Sequence, residues 1–299
     1  MIHALHTAIV WTIRRLPLPV AVQSFRVYNK VLKTINAEHI GRTYFNARMF
    51  CDPRDLIQRM ILHFGVWEPE VSRVIERSLS PGDVFVDIGA NVGYDTLLGS
   101  RLVGATGSVV AIEASPGTFA LLTRNLQLNA VQNVRAVNLA VSDKETTVDL
   151  YDIDDHNIGA VTTLTSRGGV LIASVPAQPL EGILSPDEMS RLRLIKMDVE
   201  GAEPAILQHL LAHLSLYPTT MDIIVEASPR DNVDSWRDVF DRLRGAGFVA
   251  YAIENRYELE WYLGWRKSVP LQEINALAPR QQDLLFSRSA VQMTAGAQQ

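Results

Sequence analysis

The residues from Asp83 to Leu98 combine an acidic side chain with a glycine-containing turn. The sequence reads DVFVDIGANVGYDTLL, in which Asp87 is followed by Gly89, Asn91 and Gly93. Glycines let the backbone take positive φ and approach a ligand, and the first amides of a following helix point outward as hydrogen-bond donors. A carboxylate at the mouth of such a turn repels a pyrophosphate and attracts an ammonium group.

This set of groups suits one nucleotide-like ligand better than others. S-adenosylmethionine carries an ammonium, a carboxylate and a sulfonium, so an acid beside exposed amides favours it over NAD. The pattern predicts that Asp87, Gly89, Asn91 and Gly93 bind the methionine part. The alternative is a strand, turn and helix with no ligand.

A second acid follows the next apolar run, Ser108 to Ile112. Glu113 ends this predicted strand, and Ser115-Pro116 has the pattern of a helix N-cap followed by a first-turn proline. An acid at this place, about 20 residues after a glycine turn, is where a ribose diol is held. We therefore expect Glu113, with Ala114 and Ser115, to contact the ligand.

Further candidate contacts follow from position alone. Parallel strands bind ligands beyond their carboxyl ends, so a third strand at Val134–Val141 places Asn138, Ala140 and Val141 near the adenine. Glu68 precedes the glycine turn and is either a further ligand contact or a surface acid that begins a helix.

The stretch Leu192 to Glu203, read as LRLIKMDVEGAE, is the second one that could do chemistry. It crowds Lys196, Asp198 and Glu200 at the end of a predicted buried strand, where charge indicates a functional site. We predict that Asp198 or Glu200 accepts a proton, that Lys196 tunes the nearby charges, and that Asp198 also borders the cofactor. In a variant of this hypothesis, Asp198 and Glu226, which ends the next strand, hold Mg²⁺.

These residues need an α/β framework to bring them together. Apolar strands alternate with helices from residue 83 onward, and Ser185 and Glu188 have the spacing of a capping box. The predicted organisation is an N-terminal extension over residues 1–64, helical with a short strand at Thr43–Phe50, a main domain over 65–289 and a flexible tail over 290–299. Residues 152–180 are predicted to be an irregular insertion at the ligand-binding edge.

Charge and cysteine content limit the classes of partner and compartment. The net charge of −5 does not favour nucleic-acid binding, although residues 1–60 hold nine Lys/Arg against three Asp/Glu. This basic, amphipathic beginning is interpreted as a solvated face, with a membrane-surface contact and a homodimer contact as open alternatives. Cys51 is the only cysteine, which favours a reducing compartment such as the cytoplasm.

Three segments carry a family resemblance. Asp83 to Tyr94, Glu113-Ala-Ser-Pro116 and the string from Ile195 to Glu203 resemble the FkbM-type family of S-adenosylmethionine-dependent methyltransferases. The segments Trp67-Glu68-Pro69 and Asp222 to Glu226 are also similar to it. The resemblance spans roughly residues 65–255.

The resemblance implies a fold and a reaction. The fold would be that of a class I methyltransferase: a Rossmann-like, seven-stranded, mostly parallel sheet with helices on both faces. The reaction would be O-methylation of a hydroxyl on a sugar, glycolipid or polyketide-type small molecule. The open alternatives are N-methylation, a protein that binds the cofactor without catalysis, and a nucleotide-dependent dehydrogenase.

Overall fold

The computed structural model describes residues 2–34, 38–152, 161–164, 168–230 and 232–289. Contacts between Cα atoms divide the chain into two compact units. The N-terminal unit comprises Met1–Pro69 with Arg256–Ser268, and the sheet unit comprises Glu70–Asn255 with Val269–Gln299.

The N-terminal unit contains helices and one β-hairpin. Its elements are α1 (Ile2–Ile13), α2 (Leu18–Thr34), β1 (His39–Arg42), β2 (Arg48–Cys51), α3 (Leu56–Phe64) and a short helix at Leu259–Leu263. Prolines 17 and 19 separate α1 from the body of α2, because proline is accepted only in the first turn of a helix. No helix among the described residues is long and apolar enough to cross a bilayer.

The single strand predicted at Thr43–Phe50 is wrong. Asn46 has a φ of 72°, and the amide of Thr43 donates to the carbonyl of Ala47, so the chain reverses within this range. The result is the β1–β2 hairpin, with His39 opposite Cys51. Asparagine tolerates the left-handed conformation that such a turn requires.

The aromatic residues near position 262 pack as core in the same unit. Tyr262 is fully buried, and its ring lies 5.5 Å from that of Phe64. Trp265 is also buried, 5.3 Å from the ring of Tyr44.

The sheet unit alternates strands with helices, as the hydrophobic pattern predicts. In chain order its first half contains α4 (Pro69–Ser78), β3 (Val84–Ile88), α5 (Tyr94–Val103), β4 (Ser108–Ile112), α6 (Pro116–Leu128), β5 (Val134–Val137), β6 (Ala140–Val141), β7 (Thr146–Asp152), β8 (Val161–Thr162) and β9 (Val170–Gln178). Its second half contains α7 (Leu180–Ile183), α8 (Pro186–Ser190), β10 (Leu192–Met197), α9 (Glu203–Ala212), a 3₁₀ turn (Leu214–Leu216), β11 (Asp222–Ala227), α10 (Val233–Gly245), β12 (Val249–Ile253), β13 (Gln272–Ile274) and β14 (Gln282–Ser287).

The central sheet has eight strands in the order β13-β12-β14-β11-β10-β3-β4-β5. The five strands from β11 to β5 are parallel to one another, and β14, β12 and β13 join by antiparallel pairing. Seven of these strands form the predicted mostly parallel sheet, and β13 adds a three-residue strand at one edge. The carboxyl ends of β3, β4, β10 and β11 therefore meet at one edge of the sheet.

The core of this unit is the apolar run of each central strand packed against helices. All five residues of β3 are buried, and Val84, Val86 and Ile88 share one cluster with residues of β10 and β11. Ile206, Leu207 and Leu210 of α9 and Trp236 and Phe240 of α10 complete that cluster. Burial on this scale fixes the strand ends to which the polar residues are attached.

Two predictions on the segment after β5 need correction. The third strand predicted at Val134–Val141 is interrupted after Val137, and Ala140–Val141 instead pairs with β9 in a separate four-stranded sheet, β6-β9-β7-β8. Within the predicted insertion, Val170–Gln178 is a regular strand that pairs along most of β7. Residues 153–160 and 165–167 of the predicted insertion lie outside the described residues.

Candidate functional site

The turn between β3 and α5 has the conformation that its glycines predict. The amides of Gly89 and Ala90 both donate to the carbonyl of Ile112, at 2.9 and 3.0 Å. Gly89 has a φ of 77°, and a Cβ there would lie 1.8 Å from the carbonyl oxygen of Asp198, so only glycine fits. Gly93, with a φ of 88°, precedes α5, and the N-cap position makes no side-chain hydrogen bond to the first turn of this helix.

Asp87 is a buried acid with one unused oxygen. The hydroxyl of Thr96 donates to its Oδ2 at 2.6 Å, while Oδ1 has no hydrogen-bond partner among the described residues. Burial raises the pKa of Asp87, nearby Asp198 raises it further, and Lys196 and the Thr96 hydroxyl oppose the shift. A buried carboxylate oxygen without a donor is suited to an incoming cationic donor such as an ammonium group.

Asp95, in the first turn of α5, forms a second buried acid that the sequence analysis did not select. Its Oδ2 lies 3.4 Å from the ammonium of Lys196, and in the part of the chain that the structure describes its Oδ1 has no hydrogen-bond partner. Burial raises its pKa to about 7. Sequence reasoning could have selected Asp95, because it lies two residues after Gly93 in the first turn of a helix, where the helix dipole favours negative charge.

Lys196 is buried among these carboxylates. It pairs with Asp87 in the register of β10 and β3, and its Nζ lies 3.4 Å from both Asp95 and Asp198. Its predicted part in tuning the surrounding charges fits this placement, since one cation faces several acids. A role in the chemical step stays a prediction.

Glu113 ends β4 and binds backbone amides with both oxygens. The amide of Asn91 donates to Oε2 and that of Ser115 to Oε1, each at 2.9 Å. Burial raises the pKa of Glu113 to about 7, although both amide contacts act in the opposite direction. Glu113 thus holds the glycine turn and the next turn together, and its predicted contact with a ribose stays a prediction.

The other predicted cofactor contacts surround this pair of turns. The side chain of Asn138 donates to the carbonyls of Glu113 and Ala114 at 2.7 and 3.0 Å. Ser115 caps α6 by accepting from the amide of Thr118. Ala140 and Val141 are buried in β6.

Glu68 lies in the N-terminal unit, where Tyr257 donates to its carboxylate at 2.9 Å. Its participation in cofactor binding is still only a prediction. Tyr257 also stacks on Trp67, with ring centroids 5.3 Å apart.

Three carboxylates meet where β10 and β11 end. Asp198, Glu200 and Glu226 each place one oxygen within 4.8 Å of the others. Gln281 donates to Glu226 at 2.5 Å. The arrangement joins the predicted base candidates to the predicted Mg²⁺ ligands in one cluster, which we call the carboxylate trio.

Glu203 holds the loop that carries Glu200. Its carboxylate accepts hydrogen bonds from the amides of Val199 and Gly201, and burial raises its pKa to about 7. Glu200 itself has a φ of 56°, a conformation that side chains rarely adopt and that concentrates at functional sites. Thr162, fully buried in β8, donates to the carbonyl of Glu200 at 2.7 Å.

Asp283 is a further acid that sequence reasoning missed. It pairs with Glu226 in the register of β14 and β11, and Asn255 donates to its Oδ2 at 2.8 Å. Burial raises its pKa to about 6. No sequence pattern marks Asp283 as a site residue, because it lies near the beginning of a short apolar strand that is far along the chain from the other acids.

The buried charges of the site sum to an excess of acid. Asp87, Asp95 and Asp198 all interact with the single ammonium of Lys196, and the unused oxygens of Asp87 and Asp95 remain available. This chemistry fits the cationic amino acid part of S-adenosylmethionine. The doubly wound sheet has the architecture of the class I methyltransferase fold, and this site lies at the carboxyl ends of its strands, where such sheets bind ligands.

Comparison with known proteins identifies the family. Residues 87–250 match the family model of the methyltransferase FkbM domain, and a model of protein-L-isoaspartate(D-aspartate) O-methyltransferase matches residues 22–148. Because the first match covers more than half of the chain, the protein belongs to the FkbM methyltransferase family.

Individual relatives share less than 30% of their sequence with this chain. Methyltransferase sdnD of Sordaria araneosa is 28% identical over 44% of this chain, and the match spans 61% of that relative's own length. The FkbM methyltransferase structure from Methylobacillus flagellatus is 14% identical, with a TM-score of 0.45 over 88% of this chain and 59% of that one. An S-adenosylmethionine-dependent O-methyltransferase from Thermotoga maritima is also 14% identical, with a TM-score of 0.42 over 83% and 76%.

Proposed function

We propose that the protein transfers the methyl group of S-adenosylmethionine to a hydroxyl oxygen of a sugar, glycolipid or polyketide-type small molecule. The observation that carries this proposal is the carboxylate trio, whose oxygens lie within 4.8 Å of one another beside the glycine turn. A hydroxyl is a poor nucleophile until its proton is leaving, and a carboxylate within reach can accept that proton. Asp198 or Glu200 has this role.

Different residues of the site would bind the donor and remove the proton. Asp87 and Asp95 would hold the ammonium of the amino acid part of the donor, and Glu113 would hold its ribose. When bound, the donor supplies an electrophilic methyl group on its sulfonium. The protein's own part is to orient the acceptor oxygen, exclude water and remove a proton at a carboxylate oxygen of the trio.

Two conservative substitutions test the base. Asp198→Asn and Glu200→Gln keep size and remove the charge, and we expect one of them to lower kcat by about 10²- to 10⁴-fold, the usual worth of a general base. Transfer from methyl-labelled donor to a panel of sugar, glycolipid and polyketide acceptors measures the rate. Asp234→Asn is the matched control, because the Asp234 side chain is 94% exposed.

Calorimetric titration with the donor separates catalysis from binding. If both substitutions leave kcat near normal while the donor stays bound, the base assignment is wrong. If the protein binds the donor and methylates no acceptor in the panel, the non-catalytic alternative gains support. Donor labelled with ¹³C, followed by NMR of the product, distinguishes a methoxy carbon from an N-methyl carbon and so decides between O- and N-methylation.

The trio also offers three oxygen ligands to a divalent cation, the chemistry that Mg²⁺ prefers. Under the proposed mechanism the trio removes a proton without metal, so activity should persist in excess EDTA. If EDTA abolishes activity and added Mg²⁺ restores it, the general-base hypothesis is wrong. The trio would then bind a metal ion that holds the acceptor. Glu226→Gln would then lower activity as strongly as Asp198→Asn.

A further inference from the structure

The N-terminal unit contains a second concave surface, which belongs to neither the glycine turn nor the carboxylate trio. It is a cavity of about 900 Å³ bordered by α1, the β1–β2 turn and the end of α3. Four arginines line it: Arg14, Arg15, Arg42 and Arg266. We call this surface the arginine groove.

The charges of the groove are not neutralised by carboxylates. Among the described residues none of its four arginines lies within salt-bridge distance of an acid. Burial lowers the pKa of Arg14, and the like charges of Arg266 and Arg15 lower it further. Repulsion among guanidinium groups would be relieved by an anion, and guanidinium groups bind phosphate oxygens in paired hydrogen bonds.

The part of the chain that supplies α1 to the groove contains no acid. Residues 1–37 contain five Lys/Arg and no Asp or Glu. Thr43, Asn46 and Tyr44 add neutral hydrogen-bonding groups to the lining. The groove thus offers donors and positive charge, which select for an anion.

Exposed apolar side chains lie on the same helices. Leu5, Trp11 and Leu18 are 62%, 57% and 52% exposed, and Leu16 lies between the two helices with 37% exposed. Trp11 also borders the groove, and the guanidinium of Arg15 stacks on its ring at 3.4 Å. Tryptophan and arginine beside exposed leucines are typical of helices that lie in a membrane interface.

We propose that the arginine groove binds the phosphate groups of an anionic phospholipid surface, with Trp11 at its border and the exposed Leu16 and Leu18 seated among the headgroups. The exposed apolar residues favour a lipid over a free phosphate compound, because a soluble anion would leave them in water. The charge of the groove argues against self-association. A two-fold contact would bring the arginines of two copies together, and no acid in the lining would offset their repulsion.

Sedimentation of the full chain with vesicles tests the proposal. We expect binding to vesicles of phosphatidylcholine mixed with phosphatidylglycerol and little binding to phosphatidylcholine alone. Replacing all four groove arginines with glutamine should lower the partition coefficient roughly tenfold or more, since each basic residue near an anionic surface adds measurably to binding. Leu16→Ser with Leu18→Ser should weaken the binding that persists at high salt.

A matched variant controls for total charge. Lys144, Arg230, Arg237 and Arg280 are exposed residues of the sheet unit, and their replacement with glutamine removes the same charge. This control should bind vesicles as the parent does. Unchanged titration with the methyl donor shows that both variants are folded.

Three results would overturn the proposal. One is equal sedimentation with both kinds of vesicle, and another is equal loss in the groove variant and its control. The third is groove-dependent binding of glycerol phosphate, or a groove-dependent change of mass in solution, without binding to anionic vesicles. The third result would assign the groove to a soluble phosphate compound or to a second copy of the chain.

Discussion

The ammonium of Lys196 lies 3.4 Å from Oδ2 of Asp95, which joins the end of β10 to the first turn of α5. Both side chains are buried, with 6% of each residue exposed. The same ammonium also faces Asp198 and interacts with Asp87, so it is the shared counter-ion of acids from β3, from α5 and from the loop after β10. Its loss would leave uncompensated charge in a low-dielectric region.

We therefore expect Lys196→Met to lower the free energy of unfolding by about 3 kcal/mol at neutral pH, as when one partner of a buried ion pair is removed. Urea unfolding followed by circular dichroism measures the change. The double variant Asp95→Asn with Lys196→Met should recover at least about 1 kcal/mol, because the unpaired acid is then neutral.

Arg237→Met is the control for this cycle. Arg237 and Asp234 form an ion pair whose side chains are 67% and 94% exposed, and such pairs contribute little. If Lys196→Met were as harmless as Arg237→Met, the ammonium would not be the counter-ion of the site.

Asp87→Asn should weaken donor binding without weakening the fold. The substitution removes the charge that faces a cationic ligand, and we expect the Kd for S-adenosylmethionine to rise about 10- to 100-fold. Because the native carboxylate is buried with one unpartnered oxygen, the free energy of unfolding should not fall. Calorimetric titration and urea unfolding measure the two quantities, with exposed Asp241→Asn as the control. Equal donor affinity in the two variants would remove Asp87 from the binding site.

The ligand-free protein should become less stable as pH rises through the neutral range. Burial raises the pKa values of Asp95, Glu113 and Glu203 to about 7 and that of Asp283 to about 6, whereas ordinary carboxyls titrate at 3.8 to 4.5. Between these limits the folded chain holds more protons than the unfolded chain. The free energy of unfolding therefore falls with rising pH, by about 1.4 kcal/mol per pH unit for each group.

Thermal unfolding between about pH 5 and about pH 7.5 measures this slope. Asp283→Asn should reduce it, since one titrating group is lost, and Asp234→Asn should not. A melting temperature that rises with pH across this window would contradict the assignment of these acids as buried and neutral at low pH. Donor affinity should change in the opposite sense, because the cationic ligand binds ionised carboxylates.

Two glycines of the same unit should differ sharply in their tolerance to alanine. Gly89→Ala forces a Cβ to within 1.8 Å of a carbonyl oxygen at a φ of 77°. We therefore expect the free energy of unfolding to fall by more than about 2 kcal/mol and donor binding to be lost. Gly117→Ala, in α6, meets nothing within 4 Å and should be neutral or stabilising. Similar stabilities for the two variants would mean that the turn can rearrange.

Local chemistry made much of this structure predictable. The run from Val84 to Ile88 followed by glycines gives a strand and turn, and the capping box of Ser185 and Glu188 forms as its spacing predicts. Glu113 and Asp198 were found because each follows a strand-like apolar run directly, and Glu200 lies two residues further on. In these cases the signal lies within a few residues of the feature.

The rest depends on pairings distant in sequence. Asp283 and Asp95 belong to the site only because β14 lies beside β11 and because α5 begins beside the end of β10. The strand at Val170–Gln178 was missed because most of its residues do not alternate in polarity, and pairing with β7 decides its conformation. Asn46 turned the predicted strand at Thr43–Phe50 into a hairpin through one left-handed residue.

The hydrogen bond from Thr162 to the carbonyl of Glu200 has an evolutionary consequence. It attaches the small sheet, part of a segment inserted between β5 and β10, to the backbone of a candidate base. A change at position 162 that drops the hydroxyl would release a strained loop 38 positions away in the sequence. Within this family we therefore expect the two positions to be inherited together, so that divergence of the small sheet proceeds only with matching change in the loop.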